Sequence, residues 1–142
     1  MMRESRGQVS LEYLLIFSVS LIILIAFTMP LLEQSMDATF DVSDSLKAKS
    51  ELSDLAQAIR QVYGQGQGSK QTVTLDVDRP VKINVANNHV SSKLKLKDND
   101  NKEIRIDVKS KLKSDSFKLS KGKTTFVVEW PENEEYMTIY QK

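Results

Sequence analysis

The sequence predicts an α+β protein in which one long N-terminal helix carries an antiparallel β-sheet head. Three observations predict it: an uncharged apolar run, a helical apolar stripe that follows it, and two-residue alternation after position 71. The chain has 142 residues, about one domain. Its formal net charge of +1 argues neither for nor against a nucleic-acid partner.

The uncharged run of 20 residues from Tyr13 to Leu32 is long enough to cross a membrane. A helix of this length spans ~30 Å, the thickness of a hydrocarbon core. The alternative is burial in a soluble core, but the polar remainder of the chain has too little apolar surface to cover such a helix. Arg3 and Arg6 precede the run and Glu33 follows it, which predicts a cytoplasmic N-terminus and a head outside. We therefore expect a single-pass protein of the cell membrane.

Helical periodicity continues beyond the apolar run. Apolar residues recur at spacings near 3.6 residues, at Met36, Phe40, Leu52, Leu55, Ala56, Ile59, Val62 and Tyr63. This stripe predicts a helix over 8–63, with its transmembrane half at about 13–32 and its second half packed on a sheet. Glycines within 64–70 predict the end of the helix and a linker. Pro30 predicts a kink or a local break, because proline lacks an N–H and clashes with the preceding turn.

The segment 71–142 is predicted to form the head. Apolar and polar residues alternate in short runs, with apolar positions Val73/Leu75/Val77, Val81/Ile83/Val85, Leu94/Leu96, Ile104/Ile106/Val108 and Met137/Ile139. Turn-forming residues separate several of the runs, at 78–80, 87–88 and 98–101. Strands in series with short turns predict an antiparallel meander whose apolar face is covered by the helix.

Composition argues against catalysis and against a metal site. The chain has no cysteine, and its single histidine, His89, has no partner histidine. It has no Gly-rich phosphate loop after a strand and no G-x-S-x-G motif. The run at 98–100 is interpreted as a hairpin turn, because Lys102 and Lys109 occupy positions at which an EF-hand needs oxygen ligands. We expect no enzyme activity, no catalytic residues, no cofactor and no metal.

A lysine-rich band follows, at Lys93, Lys95, Lys97, Lys109, Lys111, Lys113, Lys118, Lys121 and Lys123. Such runs commonly form solvated strand faces that discourage aggregation. Attraction to anionic polymers or extracellular DNA, or contact with the acidic segment 33–63 of a neighbouring subunit, are the functional alternatives. Aromatic residues are not interleaved with the band, so no specific nucleic-acid partner is predicted.

The residues before the apolar run, Arg6-Gly7-Gln8-Val9-Ser10-Leu11-Glu12-Tyr13, resemble the class III signal peptide of archaeal type IV pilin-like proteins. The resemblance implies that a class III prepilin-type signal peptidase recognises Arg6, Gly7, Gln8 and Ser10. It further implies a cut between Gly7 and Gln8 on the cytoplasmic side, which removes residues 1–7 as a leader. Glu12 then becomes the fifth mature residue, the position at which type IV pilins carry their assembly glutamate.

By the same resemblance, Glu12 pairs with the new Gln8 amine of a neighbouring subunit in a filament. Within an apolar helix bundle, each charge offsets the desolvation of the other. An N-terminal glutamine that cyclises would lose its charge and leave Glu12 without this partner. Pro30 lies near the place where many pilin helices have a proline bend.

The resemblance implies a structural subunit, major or minor, of a type IV pilus-like surface filament, with a possible role in adhesion. Its partners would be the signal peptidase, an assembly platform, other pilin subunits and the membrane. The alternative is a monomeric anchored protein, whose uncut helix holds an extracytoplasmic binding module at the membrane. In that case Glu12 has no role in assembly.

Overall fold

The computed structural model describes residues 4–96 and 101–142, with side chains from Val9 onward. In this part of the chain, helix α1 spans Glu4–Gln65 and is followed by strands, namely β1 (Lys70–Val77), β2 (Val81–Ala86), β3 (His89–Lys95), β4 (Asn101–Asp107), β5 (Asp115–Leu119), β6 (Gly122–Glu129) and β7 (Thr138–Gln141). The α+β class is therefore confirmed. The chain divides into two compact units, Met1–Phe40 and Asp41–Lys142.

The helix ends where two glycines allow a backbone that other residues rarely adopt. Gly66 has φ +88° and Gly68 has φ +86°, both in the left-handed region. The Gly66 N–H donates to the carbonyl of Val62 at 3.0 Å, which caps the last turn of α1. The helix thus extends two residues beyond the predicted end at 63, and β1 starts at Lys70, the last residue of the predicted linker.

The head contains two antiparallel sheets instead of the single meander that the sequence predicts. The first has the strand order β1-β6-β7 and the second β4-β3-β2-β5. The pairs β2–β3, β3–β4 and β6–β7 join strands that follow one another in the chain, as in a meander, whereas β1 pairs with β6 and β2 pairs with β5. These long-range pairings leave no trace in local alternation, so the meander prediction was wrong for them.

The two sheets separate at one interruption. Val77 pairs with Gly122 and Val81 pairs with Leu119, so three residues of one segment, 78–80, face two of the other, 120–121. Pro80 has no N–H to donate to a ladder. Gly122 has φ +118°, a conformation that favours glycine. The strand pairing is therefore interrupted here by one extra residue, by Pro80 and by the conformation of Gly122, and the two sheets begin on either side of this interruption.

One hydrophobic core joins the second half of α1 to both sheets. Its helix residues include Leu52, Leu55, Ile59 and Val62, all nearly inaccessible to solvent. The sheets contribute Leu75, Val77, Val81, Ile83, Val85, Val90, Leu94, Leu119, Phe126, Val128 and Ile139. The alternation predicted for these strands therefore does place their apolar residues on the core side.

The predicted apolar stripe was wrong at its N-terminal end. Met36 and Phe40 are 57% and 51% exposed, whereas burial on α1 begins at Ser45 and Ala48.

Val108 also lies outside the strand predicted for it, although it is buried and its N–H donates to the carbonyl of Asn88. The turn predicted at 98–101 lies mostly outside the described residues, which resume at Asn101, the first residue of β4.

Truncation of Ile59, which is fully buried between α1 and the sheets, tests the contribution of this core. We expect Ile59→Ala to lower the free energy of unfolding by ~2–5 kcal/mol, because it removes buried methyl groups and leaves a cavity. Denaturant unfolding of the full chain in detergent, followed by circular dichroism, measures the loss. The neighbouring exposed substitution Gln57→Ala is the control and should change stability by less than about 0.5 kcal/mol. Equal effects would contradict this packing.

Candidate functional site

The apolar half of α1 exposes nearly all its large side chains. From Val9 to Leu32 these are between 46% and 73% exposed, with Phe27 the most exposed. By length and composition, this is the one helix in the described part of the chain that is able to cross a membrane. Such a continuous apolar surface is unfavourable in water, so it requires lipid or other apolar helices around it.

Two hydroxyl groups in this segment are satisfied within the helix. The Ser18 hydroxyl donates to the Leu14 carbonyl at 2.8 Å, and the Thr28 hydroxyl donates to the Leu24 carbonyl at 2.8 Å. A hydroxyl bonded in this way carries no unpaired donor into an apolar environment. These two side chains therefore fit a helix surrounded by hydrocarbon.

Glu12 is the acidic residue closest to the start of the apolar surface. Its side chain is exposed, as is that of Ser10, and both lie on the first turns of α1. The side chains of Arg6, Gly7 and Gln8 lie outside the described residues, but their backbone is part of α1. Gln8 and Glu12 are four residues apart, about one helical turn. The roles predicted for these residues in cleavage and assembly stay predictions.

Pro30 lies inside α1, which continues through it from Glu4 to Gln65. The local break allowed by the sequence is therefore absent, while the predicted bend stays a prediction. Because proline has no N–H, the carbonyl of Ala26 lacks its usual helical donor. That carbonyl is one polar group in the apolar segment for which the helix backbone alone provides no partner.

Arg79, in the turn between β1 and β2, binds two acidic residues of α1. Its Nη2 lies 2.6 Å from Asp44 Oδ2, and its Nη1 lies 3.9 Å from Asp41 Oδ1. Both aspartate side chains are less than one-fifth exposed. Partial burial reduces solvent screening, so these contacts fix the turn on α1 more firmly than fully exposed ion pairs would.

Two further polar contacts join α1 to β1 and its turn. Lys47 Nζ lies 2.7 Å from Asp78 Oδ2, and the Asp76 N–H donates to Glu51 Oε2 at 2.8 Å. The hydrogen bond from Lys47 lowers the pKa of Asp78, and the same bond raises the pKa of Lys47. Both side chains are substantially exposed, so this pair positions the turn but adds little stability.

These contacts form an ion-pair cluster that was not predicted from the sequence. It comprises Asp41, Asp44 and Lys47 on α1 with Asp78 and Arg79 on the turn. A local signal for the helix side existed. Positions 41, 44, 48, 52 and 55 follow helical spacing, so the two aspartates continue the buried stripe towards the N-terminus. The partner Arg79 was not identifiable, because it is separated from the helix by a long stretch of chain.

The C-terminal end of α1 is held by aromatic and polar contacts. Tyr63 stacks on Trp130 with ring centroids 5.7 Å apart and planes 2° from parallel. The indole N–H of Trp130 donates to the Glu134 carbonyl at 3.0 Å. Trp130 is partly buried and packs against the edge of the core. His89 is half-buried, and its Nδ1 lies 3.0 Å from Asn88 Oδ1.

Eight lysines of the predicted lysine-rich band are exposed, namely Lys93, Lys95, Lys109, Lys111, Lys113, Lys118, Lys121 and Lys123. Lys97 lies outside the described residues. Exposure agrees with the interpretation of solvated strand faces. Among the described residues, no cluster of three or more acidic or histidine side chains is arranged to hold a metal ion.

The apolar N-terminal helix and the antiparallel head define a pilin-like α+β architecture, and the apolar helix fits membrane anchoring. Residues 5–31 match the family described as Class III signal peptide. This match supports a type IV pilin-like protein and implies processing by a prepilin peptidase. No curated protein and no solved structure is similar enough to the chain to count as a match.

Acidification should weaken the pair between Lys47 and Asp78. The pKa of Asp78 is lower in the folded protein than the ~3.9 of an unfolded chain. The stabilisation that the ionised carboxylate provides is therefore fully present above pH ~3.9 and is lost as the pH falls through the pKa of the folded protein. The stability difference between the wild type and Asp78→Asn should therefore shrink below about pH 4. Unfolding midpoints measured near neutrality and in acid test this.

Asp54→Asn is the matched control for this titration, since Asp54 is an exposed aspartate of α1 that forms no ion pair with another described residue. The difference in unfolding midpoint between Asp54→Asn and the wild type should vary less with pH than the corresponding difference for Asp78→Asn. A difference for Asp78→Asn that stays constant from neutral to acidic pH would contradict the role assigned to the pair.

Proposed function

We propose that this chain is a structural subunit, major or minor, of an archaeal type IV pilus-like surface filament, and that it has no catalytic role. The match of residues 5–31 to the Class III signal peptide family carries the proposal. The exposed apolar surface of α1 supports it, because that surface suits lipid before assembly and a bundle of helices afterwards. The head then faces the outside, where it is available for adhesion.

In this proposal the peptidase cuts between Gly7 and Gln8 while α1 is in the membrane. The cut lies close to Glu4, the first residue of α1, and helix ends unfold locally at low cost. Gly7 favours this opening, because glycine is a poor helix former. Arg6, Gln8 and Ser10 flank the cut and are proposed to be recognised with Gly7. Removal of residues 1–7 takes away Arg3 and Arg6 and creates a new amine at Gln8.

Assembly then transfers α1 from lipid to a helix bundle on an assembly platform. Lipid tails are as apolar as leucine, so this transfer gains little from the hydrophobic effect, and close packing must stabilise the bundle. A pair between Glu12 and the Gln8 amine of a neighbour adds a contact with a fixed partner. It sets the axial register of the subunits more than it adds net stability.

The first test is the N-terminus of the mature protein. Intact-mass measurement of the protein from native membranes should show loss of Met1–Gly7 in the wild type. A bulky residue at the cut, as in Gly7→Val, should leave the leader in place. The control Val9→Ala should be processed normally, since position 9 is not among the residues assigned to recognition. A full-length wild-type protein would contradict cleavage.

The second test concerns Glu12. We expect Glu12→Ala to be cleaved normally but to enter filaments at least ten-fold less, because removing one partner of a buried pair costs ~3–5 kcal/mol, more than the ~1.4 kcal/mol of a ten-fold change. Quantification of the labelled subunit in sheared surface filaments and in membranes measures the ratio. Glu33→Ala, at the other end of the apolar run, is the control and should assemble normally. Normal incorporation of Glu12→Ala would refute the pairing.

The alternative function, a monomeric anchored binding module, predicts a different outcome of the first test. The protein would keep its basic leader and would be found as single copies in the cell envelope. Electron microscopy of cells with the labelled head distinguishes the two, since a filament subunit appears along extended fibres. Label confined to the envelope would favour the anchor.

A further inference from the structure

Three lysines lie side by side on the exposed face of the four-stranded sheet. Lys82 on β2 is directly opposite Lys93 on β3 and directly opposite Lys118 on β5. Neighbouring strands are about 4.8 Å apart, so this lysine row (Lys82, Lys93 and Lys118) is ~10 Å wide. Lys95 lies two positions along β3 on the same face. All four side chains are exposed.

Like charges directly opposite one another destabilise a sheet. In the described part of the chain, no ion pair includes Lys82, Lys93 or Lys118. Glu103 is opposite Lys93 on β4 and is the acidic residue in this row of the sheet. The repulsion within the row is thus only partly offset inside the head, which points to an acidic partner outside it.

A second surface of the head has the opposite charge. The acidic loop, residues 131–135 between β6 and β7, contains Glu132, Glu134 and Glu135, and all three side chains are exposed. None of them forms an ion pair with another described residue. Lys113 lines a cavity together with Glu134, but the two are not within salt-bridge distance.

The acidic loop is held in one conformation. The Glu134 carbonyl accepts hydrogen bonds from Trp130 Nε1 at 3.0 Å and from Gln67 Nε2 at 2.9 Å. Trp130 is in turn stacked on Tyr63. A loop held by such contacts has little backbone entropy left to lose on binding, so the remaining entropic cost is that of ordering the glutamate side chains.

The two charged surfaces are similar in size. Glu132 and Glu135 are three positions apart, so their Cα atoms are at most about 11 Å apart, and the turn closed by the Glu134 N–H on the Pro131 carbonyl brings them closer. The lysine row is ~10 Å wide. The backbone of one acidic loop therefore fits within the width of one lysine row, three charges against three.

We propose that the lysine row of one subunit binds the acidic loop of a second copy of this chain. The two surfaces differ, so the contact is heterologous, and repetition of such a contact produces an open helical assembly or a ring. The proposal rests on the proposed filament function and names the contact between its heads. Each pair is exposed and weak, so the contact selects the register of neighbouring heads and weakens with salt.

The acidic residues of α1 are poorer partners for the lysine row. Asp41 and Asp44 are bound to Arg79, and Glu51 accepts the Asp76 N–H within the same chain. Asp54 is exposed, but its acidic neighbour one turn away, Glu51, is already engaged within the chain. The acidic loop offers three carboxylates that form no ion pair with any described residue, which favours it over the helix.

Zero-length carbodiimide crosslinking of assembled filaments tests the contact directly, because it joins a carboxylate to an amine with no spacer. Filaments are grown from a mixture of light and isotopically heavy subunits. We expect mixed-isotope peptide pairs that join Glu132, Glu134 or Glu135 to Lys82, Lys93 or Lys118. Pairs that join these lysines instead to acidic residues of α1, or the absence of mixed pairs in intact filaments, overturn the proposal and leave the filament function standing.

Charge reversal gives an independent readout. Lys82→Glu/Lys93→Glu/Lys118→Glu should lower filament yield at low salt roughly ten-fold, and Glu132→Lys/Glu134→Lys/Glu135→Lys should do the same, since like charges then face each other. Combining the two sets should restore the yield. Lys109→Glu/Lys123→Glu/Lys142→Glu, with the same change of net charge at other exposed positions, should have little effect. Circular dichroism of each variant checks that the head is folded.

Failure of the combined variant to recover, with folded heads, overturns the proposed contact. The proposed contact is also overturned if the variant with the reversed lysine row assembles normally but no longer binds an acidic polysaccharide. That outcome identifies an anionic polymer as the partner of the lysine row. A wild-type chain found only as single copies in native membranes contradicts both the contact and the filament function.

Discussion

The exposed apolar surface of residues 9–32 is the constraint on which the rest of this protein depends. These side chains are uncovered in the single chain, and the described part of the head has no exposed apolar surface comparable to them. Water is an unfavourable environment for such a surface, so lipid or other helices must cover it. The cleavage and the Glu12 pair proposed for α1 both depend on this requirement.

The second half of the same helix attaches the head. Its buried face closes one core with both sheets, and its acidic residues bind the turn at which those sheets separate. Arg79 thus stabilises the helix contact at the place where the strand ladder is interrupted. A head attached in this manner, by apolar packing at Ile59 and by ion pairs at Asp44, can keep its shape while the apolar half changes its surroundings.

Local patterns were enough to predict the α+β class, the membrane-length segment and the buried stripe from Leu52 to Val62, because each depends on residues close in sequence. The pairing of β1 with β6 depends on residues that are far apart in the sequence and was not predicted. The ion pair between Arg79 and Asp44 was not predicted for the same reason. Met36 and Phe40 fit the helical spacing but are exposed, since periodicity alone does not show where a covering sheet begins. The signal motif was readable because its residues are contiguous, whereas the lysine row required strand register.

The stack of Tyr63 on Trp130 gives the head an optical reporter of its own. Trp130 is the only tryptophan in the chain, and it connects the C-terminal turn of α1 to the segment after β6. Its emission therefore originates from a single location, where helix and sheet meet. Fluorescence excited at the indole band can follow detachment of the helix end from the head in detergent, in vesicles or in a fibre, without any added dye.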